Sequence, residues 1–246
     1  ERAGFKVMGI VLDHLAASKA VLSDDEKNLG ICSVDIGGGS SKLVYYVNGS
    51  VAHTSVVPIG GSHFTNDISV GLRTPQVAAE DLKKKFGSAV ASMVSEEEFV
   101  EVEGVGGRKA RTVARKELAH IIEARAEECL GMIAQEVRNS GLQPALASGI
   151  VMTGGTSNLD GIIEMGEFIF DIPVRRGLPK QVGGLKDVVK SGEFATSIGL
   201  LMHGLDARRD YYFNKDLQAQ NIFSSEGNKT MGDISTKVKK FFNDLF

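Results

Sequence analysis

Three glycine-rich stretches carry the residues of this sequence that could do chemistry. The first is Asp35-Ile-Gly-Gly-Gly-Ser-Ser, in which an aspartate ends an apolar run and three residues without side chains follow. Backbone amides in a tight glycine turn can converge on anionic oxygens, because no Cβ atom blocks the approach. An aspartate at a strand end can hold Mg²⁺ through its water shell. The stretch is predicted either to bind a phosphate with Mg²⁺ or to form a strained hairpin without a ligand.

The other two stretches place a glycine pair between a strand and a helix. Pro58-Ile-Gly-Gly precedes a predicted helix, and helix N-termini favour anions because their first amides are unpaired. Val151-Met-Thr-Gly-Gly-Thr-Ser-Asn follows a buried-looking strand and would form a backbone platform for a flat or anionic group. No G-x-G-x-x-G opens a helix and no G-K-[ST] is present, which excludes the dinucleotide-binding fingerprint and the P-loop.

The elements that must position these stretches are predicted from hydrophobic periodicity and turn residues. A β-meander of strands at 29–36, 42–47 and 51–58 would hold the first stretch, since Asn48-Gly49 is a strong hairpin signal. Apolar spacing predicts a helix over 5–22 that is already under way where the chain begins. The other predicted elements are helices at 63–71, 75–86, 114–138, from about 159 and at 193–205, with strands at 96–103, 108–113, 145–153 and 172–175.

Composition excludes several classes of function. The net charge of the 246 residues is only -3, which gives no electrostatic reason to invoke nucleic acid. Cys32 and Cys129 are far apart and belong to no C-x-x-C pair, so a zinc site or a disulfide framework is not expected and a reducing compartment fits best. No apolar run is long enough to span a membrane, and no signal peptide is visible. Because the chain begins at Glu1 without a methionine, we expect a fragment or a processed chain.

The end of the chain changes character twice. Residues 206–232 are polar without sustained periodicity, which is typical of a linker. Residues 233–246 have apolar side chains at helical spacing and lysines on the other face, so this segment is predicted to lie on an anionic membrane or to dock on its own domain. The polar linker and the phenylalanine density favour the membrane. The predicted membrane-binding residues are Val238, Phe241, Phe242, Leu245 and Phe246.

The three stretches in this order, followed by A-T-S-I-G-L-L at 195–201, resemble the actin-like ATPase superfamily and, within it, the FtsA family of bacterial cell-division proteins. The resemblance covers about residues 1–205, and the terminal helix after a linker is also similar to that family. It implies an α/β fold of the actin-like (ribonuclease-H-like) ATPase type, with only its second half present. The implied parts are subdomain IIA at 1–71 and 146–205, subdomain IIB at 72–145, a linker at 206–232 and a membrane-targeting helix at 233–246.

The resemblance also implies roles for individual residues. ATP with Mg²⁺ would lie on the glycine stretches, with Asp35 holding the magnesium waters, and Asp13 would orient the attacking water. Arg125 would meet the acidic tail of FtsZ, although the sequence alone favours surface ion pairs for this arginine. The implied nucleotide-binding residues are Asp35, Gly37, Gly38, Gly39, Ser40, Gly60, Gly61, Glu80, Lys83, Gly154, Gly155, Thr156 and Asn158.

The function implied by the resemblance is a peripheral membrane protein at the division site. It would polymerise into protofilaments and tether the FtsZ ring to the cytoplasmic face of the cell membrane. Two departures predict slow ATPase activity at most: Lys42 stands where many members have an acidic residue, and Asp13 is shorter than the glutamate or glutamine often found there. The alternatives are a pilus-assembly type or other filament scaffold, and a small-molecule kinase of the same superfamily. The terminal helix argues against both.

Overall fold

A five-stranded mixed sheet carries the predicted glycine turn. The computed structural model describes residues 2–4, 6–7, 9–180 and 189–208. The strand order is β3-β2-β1-β6-β7, in which β1, β2 and β3 pair antiparallel while β6 and β7 continue parallel to β1. The strands are β1 (Ile31–Ile36), β2 (Ser41–Val47), β3 (Ser50–Val57), β6 (Ile150–Thr153) and β7 (Val174–Arg176), with a separate hairpin of β4 (Phe99–Val102) and β5 (Arg111–Ala114).

The first three strands form the predicted meander. Asn48 and Gly49 have φ angles of 51° and 77°, the left-handed pair that a tight hairpin turn requires. Strand β1 is buried along its whole length, because the sheet continues on both sides of it and helices cover both faces. The loop at 37–40, which we call the glycine loop, therefore leaves the sheet at a rigid position.

Helices cover both faces of this sheet. Alternate side chains of β1 point to opposite sides: Ile31 packs with Val21 of the first helix and with Ile198, whereas Val34 belongs to the larger core that includes Ile133. The helices are α1 (Asp13–Val21), α2 (Asp24–Leu29), α3 (Gly61–Leu72), α4 (Gln76–Phe86), α5 (Arg115–Asn139) and α6 (Ile162–Phe170), and residues 195–202 are also helical.

The predicted helix over 5–22 is wrong in its first part. Residues 9–12 have no regular secondary structure, and α1 begins only at Asp13. Gly9, Ile10 and Val11 have low helix propensity, whereas an acidic residue in the first turn favours a helix start. Ile10 is 93% exposed, so the apolar spacing that predicted this part of the helix does not face the core.

The chain divides into two units, Glu1–Met202 and His203–Phe246. In the second unit the described residues are 203–208, and they are helical, so the linker predicted over 206–232 starts too early. Leu205, Ala207 and Arg208 are good helix formers, which accounts for the difference. The rest of that linker and the helix predicted over 233–246 lie outside the described residues. Among the described residues, no helix combines the length and the apolar character needed to cross a membrane.

Candidate functional site

The glycine loop is held by the start of α3. The amides of Gly61 and Ser62 donate to the carbonyl oxygens of Gly37 and Gly38 at 2.8 and 2.7 Å. The first amides of α3 therefore donate to the glycine loop. The sequence predicted instead that the amides after the glycine pair at 60–61 would face an anion. Because the loop carbonyls point toward α3, loop amides are left for another acceptor.

Three consecutive amides of the glycine loop have no hydrogen-bond acceptor within the described part of the chain. They belong to Gly38, Gly39 and Ser40, while the amide of Gly37 closes the turn onto the carbonyl of Ser40 at 3.0 Å. Gly38 and Gly39 are exposed. Successive backbone amides in a turn form a concave anion site, so the loop fits a phosphate group.

Two glycines of this loop, Gly38 and Gly39, leave space that the described residues do not fill, whereas a Cβ atom on Gly37 would lie 3.3 Å from the Ser40 carbonyl oxygen. None of Gly37, Gly38 and Gly39 has φ between +20° and +160°, so the backbone does not demand glycine there. A Cβ atom added to Gly38 would come no closer than 3.6 Å to Ser62 Oγ, and one added to Gly39 would meet nothing within 4 Å. Open space at Gly38 and Gly39 suits a group that approaches from outside, as the phosphate alternative requires.

Gly60 and Gly154 are glycines for a different reason. A Cβ atom on Gly60 would lie 2.6 Å from the Gly37 carbonyl oxygen, and one on Gly154, at φ 85°, would lie 2.4 Å from Asp35 Oδ1. Packing therefore requires glycine at both positions. The parallel pairing of β1 with β6 brings the third glycine stretch against the first, and Thr156 Oγ1 donates to the carbonyl of Gly37 at 3.3 Å.

Asp35 carries a buried carboxylate without a protein partner. It is 8% exposed, and no hydrogen bond or ion pair to it occurs among the described residues. Burial raises the pKa of Asp35, with Lys42 opposing the rise and Asp13 adding to it. An unpaired buried carboxylate is costly, and a cation or a cation-bound water is the usual compensation. The residue fits the predicted Mg²⁺ site.

Asp13 and Lys42, the two departures from the family pattern, pair with each other. Lys42 Nζ lies 2.7 Å from Asp13 Oδ2, and His14 donates to Asp13 Oδ1 through its backbone amide at 2.8 Å. Burial opposes ionisation, yet the hydrogen bonds from Lys42 and His14 lower the pKa of Asp13 to about 2. A carboxylate with so low a pKa is a weak base, so Asp13 is suited to hold a water and not to take its proton.

Lys83 is saturated by contacts within the protein. Its Nζ donates to the carbonyl of Gly61 at 2.9 Å, to Thr65 Oγ1 at 2.8 Å and to Glu80 Oε2 at 2.7 Å. Burial would raise the pKa of Glu80, but hydrogen bonds from Lys83 and Thr65 lower it to about 2. We call these four residues the Lys83 cluster. It ties α4 to the start of α3, beneath the glycine loop.

One cavity of about 490 Å³ brings most of the predicted nucleotide-binding residues together. Asp13, Asp35, Gly39, Ser40, Gly60 and Gly154 do not line it. The predicted residues along its wall are Gly37, Gly38, Gly61, Glu80, Lys83, Gly155, Thr156 and Asn158.

The sequence interpretation missed part of the wall. No role was predicted for Lys84 and Lys85, which line the cavity, or for Thr65, which belongs to the Lys83 cluster. For Lys84 and Lys85 the available signal was their i,i+4 spacing from Glu80 and Asp81, because such pairs share a helix face. The unpredicted wall residues are Ser62, Lys84, Lys85, Gly87, Leu159, Asp160 and Glu193.

Arg125 lies outside this cavity. Its Nε donates to Asp67 of α3 and its Nη1 to Glu128 of α5, and these contacts raise its pKa. The pair with Glu128 is at i,i+3 spacing along α5, and the pair with Asp67 joins α5 to α3. The predicted FtsZ-binding role of Arg125 is not tested by these contacts, and the predicted membrane-binding residues lie outside the described part of the chain.

The fold of the chain is that of an actin-like protein. The chain is similar to the crystal structure of MreB5 of Spiroplasma citri bound to ADP, with a TM-score of 0.68 at 17% identity over 86% of this chain and 64% of that one. At this identity the likeness establishes the fold, and it confirms the α/β, actin-like prediction.

Sequence relatives identify the family. The family profile described as cell division protein FtsA matches residues 32–199. The FtsA of Pseudomonas aeruginosa is 43% identical over 209 residues, covering 85% of this chain and 50% of that protein. The FtsA of Neisseria meningitidis is 48% identical over 202 residues, covering 82% and 49%. The chain therefore belongs to the FtsA family of cell-division proteins, and it spans about half the length of these relatives.

Proposed function

We propose that this chain is the part of an FtsA-type cell-division protein that binds the phosphates of Mg·ATP. The observation that carries the proposal is the row of amides without acceptors at Gly38, Gly39 and Ser40, beside the unpaired carboxylate of Asp35. The amides would hold the β- and γ-phosphates, and Asp35 would hold magnesium waters. Bound Mg²⁺ would neutralise phosphate charge that the glycine loop cannot.

The remaining predicted residues take supporting places around this centre. Gly60 and Gly61 hold the glycine loop, while Glu80 and Lys83 form the wall of the cavity where a ribose would lie. The turn of Gly154, Gly155, Thr156 and Asn158 would form the platform for the adenosine.

Hydrolysis in this site would be slow. Asp13 keeps one oxygen on Lys42, and its low pKa leaves it little tendency to accept a proton from water. The work of the nucleotide would therefore be conformational, closing the cleft and permitting head-to-tail protofilaments.

Membership of the FtsA family favours the division role over the pilus-assembly scaffold and the small-molecule kinase. The insertion at 72–145 would dock the tail of FtsZ, and the segment at 233–246 would attach the assembly to the cytoplasmic face of the membrane. The place of action would be the division site.

Recruitment to liposomes tests this function. The full-length protein with ATP and Mg²⁺ is expected to carry FtsZ to the top of a flotation gradient with vesicles that contain anionic lipid. Removal of residues 233–246 should abolish flotation of both proteins. Flotation that persists without this segment would refute its role in membrane attachment. If the FtsA-type protein floats while FtsZ stays at the bottom, the proposed tethering of FtsZ is refuted.

Arg125 needs a test that separates partner binding from its internal pair. Arg125→Glu is expected to weaken binding of an FtsZ-tail peptide, and the double variant Asp67→Arg with Arg125→Glu keeps the interhelical pair while reversing the surface charge. If the double variant binds the peptide like the unaltered protein, Arg125 acts only in the fold.

A further inference from the structure

A groove between α5 and α6 lies apart from the nucleotide cavity. It encloses about 530 Å³, and it is lined by Glu123, Glu127 and Gly131 of α5, with Glu164 and Phe168 among the residues from α6. The α5 residues recur at intervals of four and thus form one stripe along that helix. We call this feature the acidic groove.

The acidic groove is on a different face of α5 from Arg125. Successive residues of a helix turn by about 100°, so Arg125 points roughly opposite to Glu123 and Glu127. Its guanidinium reaches Asp67 on α3. The groove is therefore separate from the surface predicted to meet FtsZ.

Phe168 exposes its ring at this groove. It is 88% exposed, although Met165 and Ile169 beside it are buried and partly buried. A large aromatic side chain at the edge of an apolar cleft is a typical anchor for a partner. The exposed ring leaves apolar surface in contact with water, and a docked side chain would cover this surface.

Gly131 keeps the groove open. It lies in the interior of the 25-residue helix α5, where glycine costs about 1 kcal/mol relative to alanine. A Cβ atom there would meet nothing within 4 Å, so packing among the described residues does not require glycine. The absence of a side chain preserves space in the groove for a group from elsewhere.

Two of the three carboxylates in the groove have no partner. The side chains of Glu127 and Glu164 form no ion pair or hydrogen bond with any other described residue, and no lysine or arginine is among the lining residues. Glu123 accepts a hydrogen bond from the amide of Ala91 at 2.9 Å and lies 3.4 Å from His120. An apolar cleft edged by free carboxylates is complementary to an apolar side chain flanked by cations, and it repels acidic peptides and anionic membranes.

We propose that the acidic groove binds a basic amphipathic helix of a partner protein. A bulky apolar side chain of that helix would occupy the space over Gly131 and contact Phe168. Lysine or arginine side chains next to it would pair with Glu127 and Glu164. This binding is independent of the nucleotide proposal, because it uses none of the residues of the nucleotide cavity.

The test uses a fluorescein-labelled 14-residue helix of leucine and lysine, with one leucine face, and fluorescence anisotropy on the full-length protein. The double variant Glu127→Lys with Glu164→Lys should weaken binding by about 30-fold. Gly131→Leu, which fills the groove and suits a helix, should weaken binding by about 10-fold while the melting temperature stays the same or rises. A control variant, Glu167→Lys, makes one such Glu→Lys change on α6 outside the groove and should change binding by less than about twofold.

Several outcomes would overturn the proposal. A loss from Glu167→Lys as large as that from the double variant would mean general attraction between opposite charges, and unchanged binding by Gly131→Leu would show that the groove does not contact the peptide. Equal binding of a scrambled peptide of the same composition would show that the groove does not require an amphipathic helix. If light scattering shows that Gly131→Leu converts an oligomer into a monomer, the occupant is a second copy of the chain.

Discussion

The glycine loop and the Lys83 cluster line the same cavity, but polar groups of the loop lack partners whereas those of the cluster have them. The glycine loop leaves the amides of Gly38, Gly39 and Ser40 without acceptors, beside a buried carboxylate that has no partner. In the Lys83 cluster, all three N–H groups of the lysine are used within the protein. Unsatisfied groups gain free energy when a ligand arrives, whereas satisfied groups gain it on folding. We therefore expect the first region to bind a ligand and the second to position the loop.

The largest expected effect comes from blocking the glycine loop. Gly38→Val places a branched side chain in the space left for phosphate, and its Cβ atom clashes with nothing in the protein. We expect the affinity for Mg·ATP to fall by about 100-fold, since several hydrogen bonds to the phosphate would be lost, with little change in melting temperature. Titration of a fluorescent ATP analogue measures the affinity.

A control for Gly38→Val is Gly131→Ala, which adds a Cβ atom at an open position outside the cavity. Unchanged affinity in Gly38→Val would break the comparison, because the free amides would then have no role in binding.

Asp35→Asn should affect binding and stability in opposite directions. Affinity for ATP in the presence of Mg²⁺ is expected to fall by about 10-fold, because the carboxylate proposed to hold the magnesium waters is lost. The ligand-free protein should become more stable, because a buried charge without a partner is removed. Calorimetry with and without Mg·ATP measures both changes.

The pH dependence of Asp35→Asn follows from the raised pKa of Asp35 in the folded protein. The native side chain costs stability as pH rises through its unfolded value toward the folded one. The stability gained by the asparagine should therefore vanish at pH values below the ordinary aspartate range. A gain that is constant across pH would contradict the cost assigned to the buried charge.

Glu80→Gln should reveal the positioning role of the Lys83 cluster. We expect a loss of about 1 kcal/mol in the free energy of unfolding, since the partly exposed ion pair is screened by water, and a reduction in ATP affinity of about threefold. The pKa of Glu80 is about 2 in the folded protein, so its stabilisation exists above the ordinary glutamate range and is lost as pH falls toward 2. Urea unfolding at pH 7 and at pH 3 measures the difference.

A larger effect of Glu80→Gln on affinity than on stability would reverse the comparison. The Lys83 cluster would then contact the ligand directly.

The smallest expected effect on binding comes from Lys42→Met. It removes the cation that holds Asp13, and it should change ATP affinity by less than about twofold while raising the turnover rate by about threefold. The rise depends on Asp13, so Lys42→Met combined with Asp13→Asn should return to the original rate. A phosphate-release assay measures turnover, and an unchanged rate in Lys42→Met would mean that the Asp13 pair does not limit hydrolysis.

Local patterns predicted much of the framework correctly. Asn48-Gly49 forms the expected hairpin turn, and the long helix predicted at 114–138 occurs at Arg115–Asn139. These features follow from backbone preferences and helical spacing within a few residues. The incorrect helix prediction at residues 9–12 also came from a local pattern. Apolar spacing alone does not show which side chains face a core.

The sequence by itself determined the glycine stretches, their order and the family that they indicate. Only the tertiary structure decided that the carbonyls of Gly37 and Gly38 turn toward α3, that Asp13 pairs with Lys42, and that Arg125 pairs with Asp67. The physical reason is the distance along the chain over which each kind of interaction is set. A turn or a helix is set by neighbours in the chain, but the partner of a charge or an amide is whichever group the folded chain brings within a few ångströms.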